Sequence, residues 1–153
     1  MNFRTIFSTG VLFVLIVAIG LIGCGKKEEP KPAPTPQVQA PPPAPAVASV
    51  VFARGVDVNW TAVNAGTEFK PSDRINAAIK TENAVPGIQL LVKWMYLGTN
   101  QLVKADSVVL QQTGVNNSAF FIERGKGFPA GNYQLTAYLN GVLAKSADFK
   151  VVK

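Results

Sequence analysis

The reactive side chains of this sequence are few. The one with the clearest chemistry is its only thiol, Cys24. It closes the stretch Leu21-Ile22-Gly23-Cys24, behind an apolar run from Ile6 to Ile19 that is broken only by Ser8, Thr9 and Gly10. Ahead of that run, Met1-Asn2-Phe3-Arg4 carries one cation. A short charged start, an apolar middle and small residues at the end mark a segment for export. The small residue Gly23 lets a protease reach the backbone beside Cys24. A lone cysteine in an exported chain has no disulfide partner, so its sulfur needs another use.

Elsewhere the sequence argues against chemistry. It has no histidine, the commonest general base and metal ligand. No Gly-x-Ser-x-Gly elbow occurs. Arg124-Gly125-Lys126-Gly127 is cationic and glycine-rich, but it lacks the Lys-Ser/Thr pair of a phosphate loop and reads as a long turn. The acids Asp57, Glu68, Asp73, Glu82, Asp106, Glu123 and Asp148 are scattered and read as solvated faces. A two-carboxylate hydrolase site would have to assemble in space. Asp73, beside Arg74, reads as a turn cap or a local ion pair. We therefore expect no catalytic residue, no cofactor and no metal. The basic excess is spread out, with no stripe of Lys or Arg, so no nucleic-acid partner is expected.

All four residues Leu21-Ile22-Gly23-Cys24 match the lipobox, and in this the chain resembles bacterial lipoprotein precursors. The resemblance implies a diacylglyceryl group on the Cys24 sulfur, cleavage before Cys24, and acylation of the new amine. Two or three acyl chains hold a protein durably where one does not. The partner implied is therefore a membrane, reached through lipid on Cys24. Gly25 and Lys26 lack the aspartate that retains some lipoproteins at the inner membrane, which favours the outer one. The expected location is a cell membrane or outer membrane, with the rest of the chain on its periplasmic or extracellular side. Two other readings stand beside this one: an uncleaved membrane span from Phe3 to Ile22, since about 20 apolar residues cross a bilayer, and a buried structural cysteine. Cleavage removes Arg4 alone from the charge count, so +6 less one leaves +5. Lys26-Lys27 then lies beside the lipid, where each cation contributes about 1 kcal/mol against anionic headgroups.

Three segments follow from this reading: a signal peptide over 1–23, a lipid-anchored linker over 24–46, and a folded domain over 47–153. Pro30, Pro32, Pro34, Pro36, Pro41, Pro42, Pro43 and Pro45 dominate the linker. Proline removes amide donors and fixes φ, so neither a helix nor a central strand can form there. The expectation is a disordered, polyproline-like arm. At ~3.1 Å per residue it reaches roughly 60–70 Å when extended. Service as a ligand for an aromatic groove is the alternative.

From Val47 the apolar residues come in short alternating runs between Gly, Asn, Pro and Asp, which predicts an all-β sandwich of about seven to eight strands. Val50 to Trp60 gives one or two strands, with a bend or bulge at Gly55. Lys70-Pro71-Ser72-Asp73 is a turn. Arg74 to Thr81 places Ile75, Ala77 and Ile79 on one face, with a short helix as the alternative. Ile88 to Leu97 puts Leu90, Val92, Trp94 and Tyr96 on one face. Leu91, Met95 and Leu97 fall on the other with Lys93. Gln101 to Lys104, Ser107 to Gln112 and Ser118 to Glu123 follow as strands, the last two split by a turn at Gly114 to Asn117. Tyr133 to Leu139 and its return strand to Val152 flank Asn140-Gly141, a type I′ hairpin signal.

Two details here resemble the immunoglobulin and fibronectin type III superfold. One is Trp94 in a central strand. The other is Pro129-Ala130-Gly131-Asn132-Tyr133-Gln134-Leu135, which is similar to the corner before the sixth strand. The resemblance implies a single Ig-like β-sandwich in which the Tyr133 hydroxyl bonds back to the backbone and Leu135 replaces a disulfide cysteine.

If Trp94 points inward, Leu91, Met95 and Leu97 become a candidate partner surface; the alternative is a strand covered by loops. Asn59-Trp60-Thr61 and Asn116-Asn117-Ser118 fit Asn-x-Ser/Thr. Asp57 extends the first toward the acidic acceptor pattern of bacterial oligosaccharyltransferases. A strand position there would keep Asn59 unmodified. The function expected is a non-catalytic binding or structural module at the cell envelope, facing a protein or a cell-wall polymer. An accessory subunit of an envelope assembly or transport machine is the alternative, with a cell-wall hydrolase behind it.

Overall fold

The protein is described here by a computed structural model covering residues 40–153. Cys24, the signal segment expected over 1–23 and the expected linker up to residue 39 lie outside the described residues. Among those described, nine strands form and no helix does: β1 (Ala46–Val56), β2 (Ala62–Ala65), β3 (Glu68–Phe69), β4 (Ile75–Ala84), β5 (Gln89–Tyr96), β6 (Gln101–Val109), β7 (Gly114–Ile122), β8 (Gly131–Leu139) and β9 (Val142–Val151).

They make two sheets, ordered β2-β1-β4-β7 and β3-β9-β8-β5-β6. All pairs are antiparallel except β3 with β9, where Glu68 and Phe69 run parallel to Lys150 and Val151. In immunoglobulin terms β1, β4 and β7 take the places of strands A, B and E, while β6, β5, β8 and β9 take those of C′, C, F and G. The chain is an Ig-like β-sandwich. The strands beyond the expected seven or eight are the short β2 and β3, by which the chain leaves one sheet and joins the other.

Alternation explains which faces meet. Ile75, Ala77 and Ile79 on β4 are buried against Leu90, Val92 and Trp94 on β5, so the helical alternative for Arg74 to Thr81 is excluded. Two alanines there do not outweigh a period of two that buries one whole face. Trp94 pairs with Leu135 across β5 and β8. Its ring lies 5.9 Å from Phe149 and 6.0 Å from Phe52. The Trp94 Nε1 is buried with no acceptor. That omission costs about 1–3 kcal/mol, whereas burying a large aromatic of about 250 Å² returns roughly 6 kcal/mol at 25 cal/mol/Å². The indole stays inside.

Tyr133 forms the expected corner. Its hydroxyl donates to the Pro129 carbonyl at 2.8 Å, and its ring stacks on Phe149 at 5.1 Å and 17°. Burial, reinforced by Tyr96 and opposed by Arg124, pushes the phenol above its ordinary value. Beside it, the Tyr96 ring lies against Gly98 and Gly131; a Cβ added at either would sit 2.6 or 2.8 Å from it and make the ring shift. Asn140 and Gly141 close β8 and β9 with φ of 48° and 81°, both in the left-handed region that a type I′ turn needs.

Three details of the sequence reading change. Gly55 is no bulge, since it pairs in register with Val63; the irregularity of β1 lies between Val47 and Ser49. There the Lys145 Nζ takes up the Ala48 carbonyl at 2.7 Å. Gly114 to Asn117 is not a turn but the start of β7, because Thr81 and Ala84 across from it offer a ladder; the chain reverses before Gly114 instead. Gln101 to Lys104 and Ser107 onward are one strand, β6, whose register shifts opposite Trp94 and Met95.

Candidate functional site

The outer face of the five-stranded sheet holds the predicted partner surface. Trp94 points inward, so Leu91 and Met95 face out, half-buried, and Leu97 follows just past the end of β5, 39% exposed. Leu91 pairs with Ser107 on β6 and Tyr138 on β8, and Met95 pairs with Leu102 and Gln134. Leu102 and Leu143, the partner of Tyr138 on β9, are both exposed. The surface is thus wider than the sequence suggested, extending from β6 across β5 and β8 to β9. Between its ends stands Lys93, whose ammonium lies 5.2 Å from the Tyr138 ring centre. Flanking strands, not loops, account for the half-burial of Leu91 and Met95. The edge of this sheet is protected from within: Lys104 and Asp106, opposite Trp94 and Val92, pair at 2.8 Å. Lys104 also donates to the Phe121 carbonyl at 3.1 Å. Charges turned inward on an edge strand discourage uncontrolled strand addition.

The acids are dispersed into local structural duties. Asp73 caps its turn through the Lys70 amide at 2.9 Å, and its ion-pair partner is Arg54 at 3.2 Å and not the adjacent Arg74. Arg74 instead lies over the Phe121 ring, 3.6 Å from its centre. Glu82 pairs with Lys80 at 2.8 Å, and Asp148 accepts from Gln134 at 2.9 Å. Glu68 and Asp148 do line one groove of about 390 Å³ with Leu97 and Lys150. Both are exposed, without the apolar pocket that keeps a proton-donating carboxyl neutral. Glu123 borders a separate cleft of about 270 Å³ with Arg124, Tyr96 and Tyr133. Arg124 to Gly127 is a turn closed by a 2.8 Å bond from the Gly127 amide to the Arg124 carbonyl. No group of three or more acidic, histidine or cysteine side chains comes together among the described residues.

The β1–β2 hairpin tip was not foreseen. Asp57 to Thr61 form an exposed loop, so Asn59 does not sit in a strand, and the reason for expecting it to be shielded falls away. Asp57 organises the tip: its Oδ1 accepts from the amides of Asn59 at 2.9 Å and Thr61 at 2.8 Å. The Trp60 amide bonds to the Asp57 carbonyl at 3.1 Å, and the Asp57 amide to the Thr61 carbonyl at 3.0 Å. The tip arches over the outer face of the four-stranded sheet, where Asn117 on β7 donates to the Asn59 carbonyl at 3.4 Å. Trp60 thereby stands between two grooves, 53% exposed. The only sequence signal is an aromatic residue in a polar stretch, which the run from Val50 to Trp60 presents as the end of a strand.

No protein-family model matches this chain, and no curated protein matches it in sequence. Solved structures do resemble it. An alkylpurine DNA glycosylase from Pseudomonas fluorescens, bound to DNA with an abasic-site analogue, matches over 71% of this chain and 30% of its own, at 12% identity and a TM-score of 0.50. An immunoglobulin-like protein from Pseudomonas aeruginosa matches over 72% of this chain and 98% of its own, at 11% identity and a TM-score of 0.45. A β-glucosidase from Listeria innocua in complex with glucose matches over 72% of this chain and 16% of its own, at 9% identity and a TM-score of 0.45. This chain thus spans under a third of the glycosylase and of the glucosidase. At such identities the likeness is one of fold.

Proposed function

We propose that this chain is a lipid-anchored, non-catalytic binding module of a bacterial envelope, held by acyl chains on Cys24 and presented to a protein partner by its proline-rich arm. The observation that carries the binding role is a group of apolar side chains on the outer face of the five-stranded sheet, set among Lys93, Gln134, Thr136 and Ser146. Leu91, Met95, Leu97, Leu102 and Leu143 lie on one side of β5, β6 and β9, and three of the five are exposed. Exposed apolar side chains rimmed by polar ones on one sheet face mark interaction surfaces. The anchoring half rests on Leu21-Ile22-Gly23-Cys24 and the apolar run before it. The dispersal of the acids, most of them tied to a neighbour, supports a role without catalysis.

Three variants of the full chain, expressed in a bacterium with a lipoprotein pathway, test the two halves separately. Cys24→Ala is expected to accumulate as an uncut precursor and to lose incorporation of a clickable fatty acid; undiminished labelling refutes the anchor. Met95→Lys in the lipidated protein is expected to reduce cross-linking to envelope proteins by about tenfold, as about 1.4 kcal/mol of lost contact predicts. Cross-linking unchanged by both Met95→Lys and Leu91→Lys refutes this face as the partner surface.

A further inference from the structure

We infer that the hairpin tip is a second binding site, on the other sheet, where Trp60 stacks on the sugar rings of an uncharged glycan chain. Five non-glycine residues have positive φ among the described residues, and four of them are asparagines: Asn64, Asn83, Asn100 and Asn140. Asparagine visits that region readily, because its short polar side chain bonds locally. The fifth is Trp60, at φ 60°. The bond between the Asp57 amide and the Thr61 carbonyl closes a three-residue loop, Val58 to Trp60, and such a loop ends on a left-handed residue that is ordinarily glycine. A bulky aromatic there is an outlier, and strain of this kind collects at ligand sites.

What surrounds Trp60 says what it would hold. On one side is a groove of about 450 Å³, lined by Gln112, Asn116, Asn117 and Ser118 together with Val58 and Val115. On the other is a mostly apolar groove of about 470 Å³ over Val51, Ala62, Ala78 and Lys80. Each is within the size of a small-ligand cleft. No carboxylate lines either groove, and the Lys80 charge is already met by Glu82 at 2.8 Å. Neither lining carries an unpaired charge; the first sets amides and a hydroxyl among valines, the second is mostly apolar, and one exposed indole divides them. That complements a chain of β-linked, gluco-configured pyranoses, whose ring C–H faces are apolar and whose hydroxyls at the rim take amide hydrogen bonds. It does not suit an anionic polymer, which would need unpaired cations. A proline-rich peptide is the competing occupant of an aromatic groove, but residues 41–45 of this chain's own arm are exposed and absent from both linings. The inference does not depend on the anchor or on the Leu91 face.

The test uses the full chain in detergent micelles and reads indole emission. The sequence holds two tryptophans, and Trp94 is buried, so the red-edge signal belongs to Trp60. Chitohexaose or cellohexaose is expected to shift that emission to the blue and to saturate below about 10 mM, the weak end of specific binding. For the variants, binding is followed by calorimetry. Trp60→Phe should keep binding at reduced affinity, while Trp60→Gly should lose at least about tenfold with its circular dichroism unchanged. No saturable shift with either hexasaccharide overturns the inference, and so does full-strength binding by a folded Trp60→Gly. Trp60-dependent binding of a synthetic peptide of residues 30–45, with neither sugar bound, overturns it in favour of a proline-rich ligand.

Discussion

The two tryptophans of this domain are used in opposite ways. Trp94 lies on an extended strand with no exposure, packed among Phe52, Phe149 and Leu135, and keeps even its N–H from solvent. Trp60 lies at a hairpin tip with half its surface in water and its backbone in the left-handed region. The first is where a sandwich needs bulk. The second is where a hairpin asks for glycine. The difference teaches that a residue type carries no role by itself: burial makes Trp94 a packing element, while exposure together with backbone strain makes Trp60 a candidate contact.

The comparison breaks most visibly at Trp94. Trp94→Ala opens a cavity between the two sheets and is expected to destabilise the domain by about 3–5 kcal/mol. Urea unfolding followed by circular dichroism measures it. A loss below about 1 kcal/mol would mean that the core is not organised around this indole. The same substitution at Trp60 removes a half-exposed ring and should cost much less.

How legible this was depends on the range of the determinant. Trp94, Ile75, Leu90 and Phe149 were readable because a strand's period of two is written locally, and Asn140-Gly141 because both residues suit a type I′ turn. The Tyr133 corner was readable as a short segment, Pro129 to Leu135. The strand status of Gly114 to Asn117 was not, since it depends on pairing with β4, some 30 residues earlier, and a Gly-x-Asn-Asn stretch reads locally as a turn. The hairpin tip was illegible for the same reason. Its arch over the sheet depends on Asn117, 58 residues from Asn59, and nothing in local propensity places tryptophan at a left-handed position. Of the predicted partner surface, Leu91 and Met95 came from strand periodicity, whereas Leu102 and Leu143 became neighbours only through sheet order.

A smaller effect sharpens the boundary between the core and its rim. Tyr133→Phe keeps the stacked ring and removes the bond to the Pro129 carbonyl, so it should cost about 0.5–1.5 kcal/mol. Its pH dependence carries a sign. Burial favours the neutral phenol, so the folded protein holds this proton to higher pH than the unfolded chain does. The resulting stability is fully present below the ordinary tyrosine value of about 10 and is lost as pH rises through the folded value. The gap between wild type and Tyr133→Phe should therefore be constant from about pH 6 to 9 and should narrow above about pH 10. A gap that widens with alkali would contradict a buried neutral corner.

The smallest effect is the most specific, because it concerns an order and not a size. At an ordinary strand or helix position glycine is less stable than alanine by about 0.5–1 kcal/mol, since the unfolded chain gains freedom. At Trp60 the order should reverse. Both Trp60→Ala and Trp60→Gly lose the same indole contacts with the grooves, so that loss cancels in the comparison. What remains is the left-handed backbone, which costs an L-residue roughly 1–2 kcal/mol and glycine almost nothing. Set against glycine's entropic disadvantage, the balance leaves Trp60→Gly the more stable variant by about 0.5–1 kcal/mol. Paired thermal melts of the two variants resolve a difference of that size in a domain of this length. If alanine is the more stable, the tip is not left-handed at this residue, and the case for a strained aromatic held out for a ligand loses its first premise. If glycine is the more stable and also fails to bind the hexasaccharide, position 60 gives up backbone stability for contact, the reverse of what Trp94 does in the core.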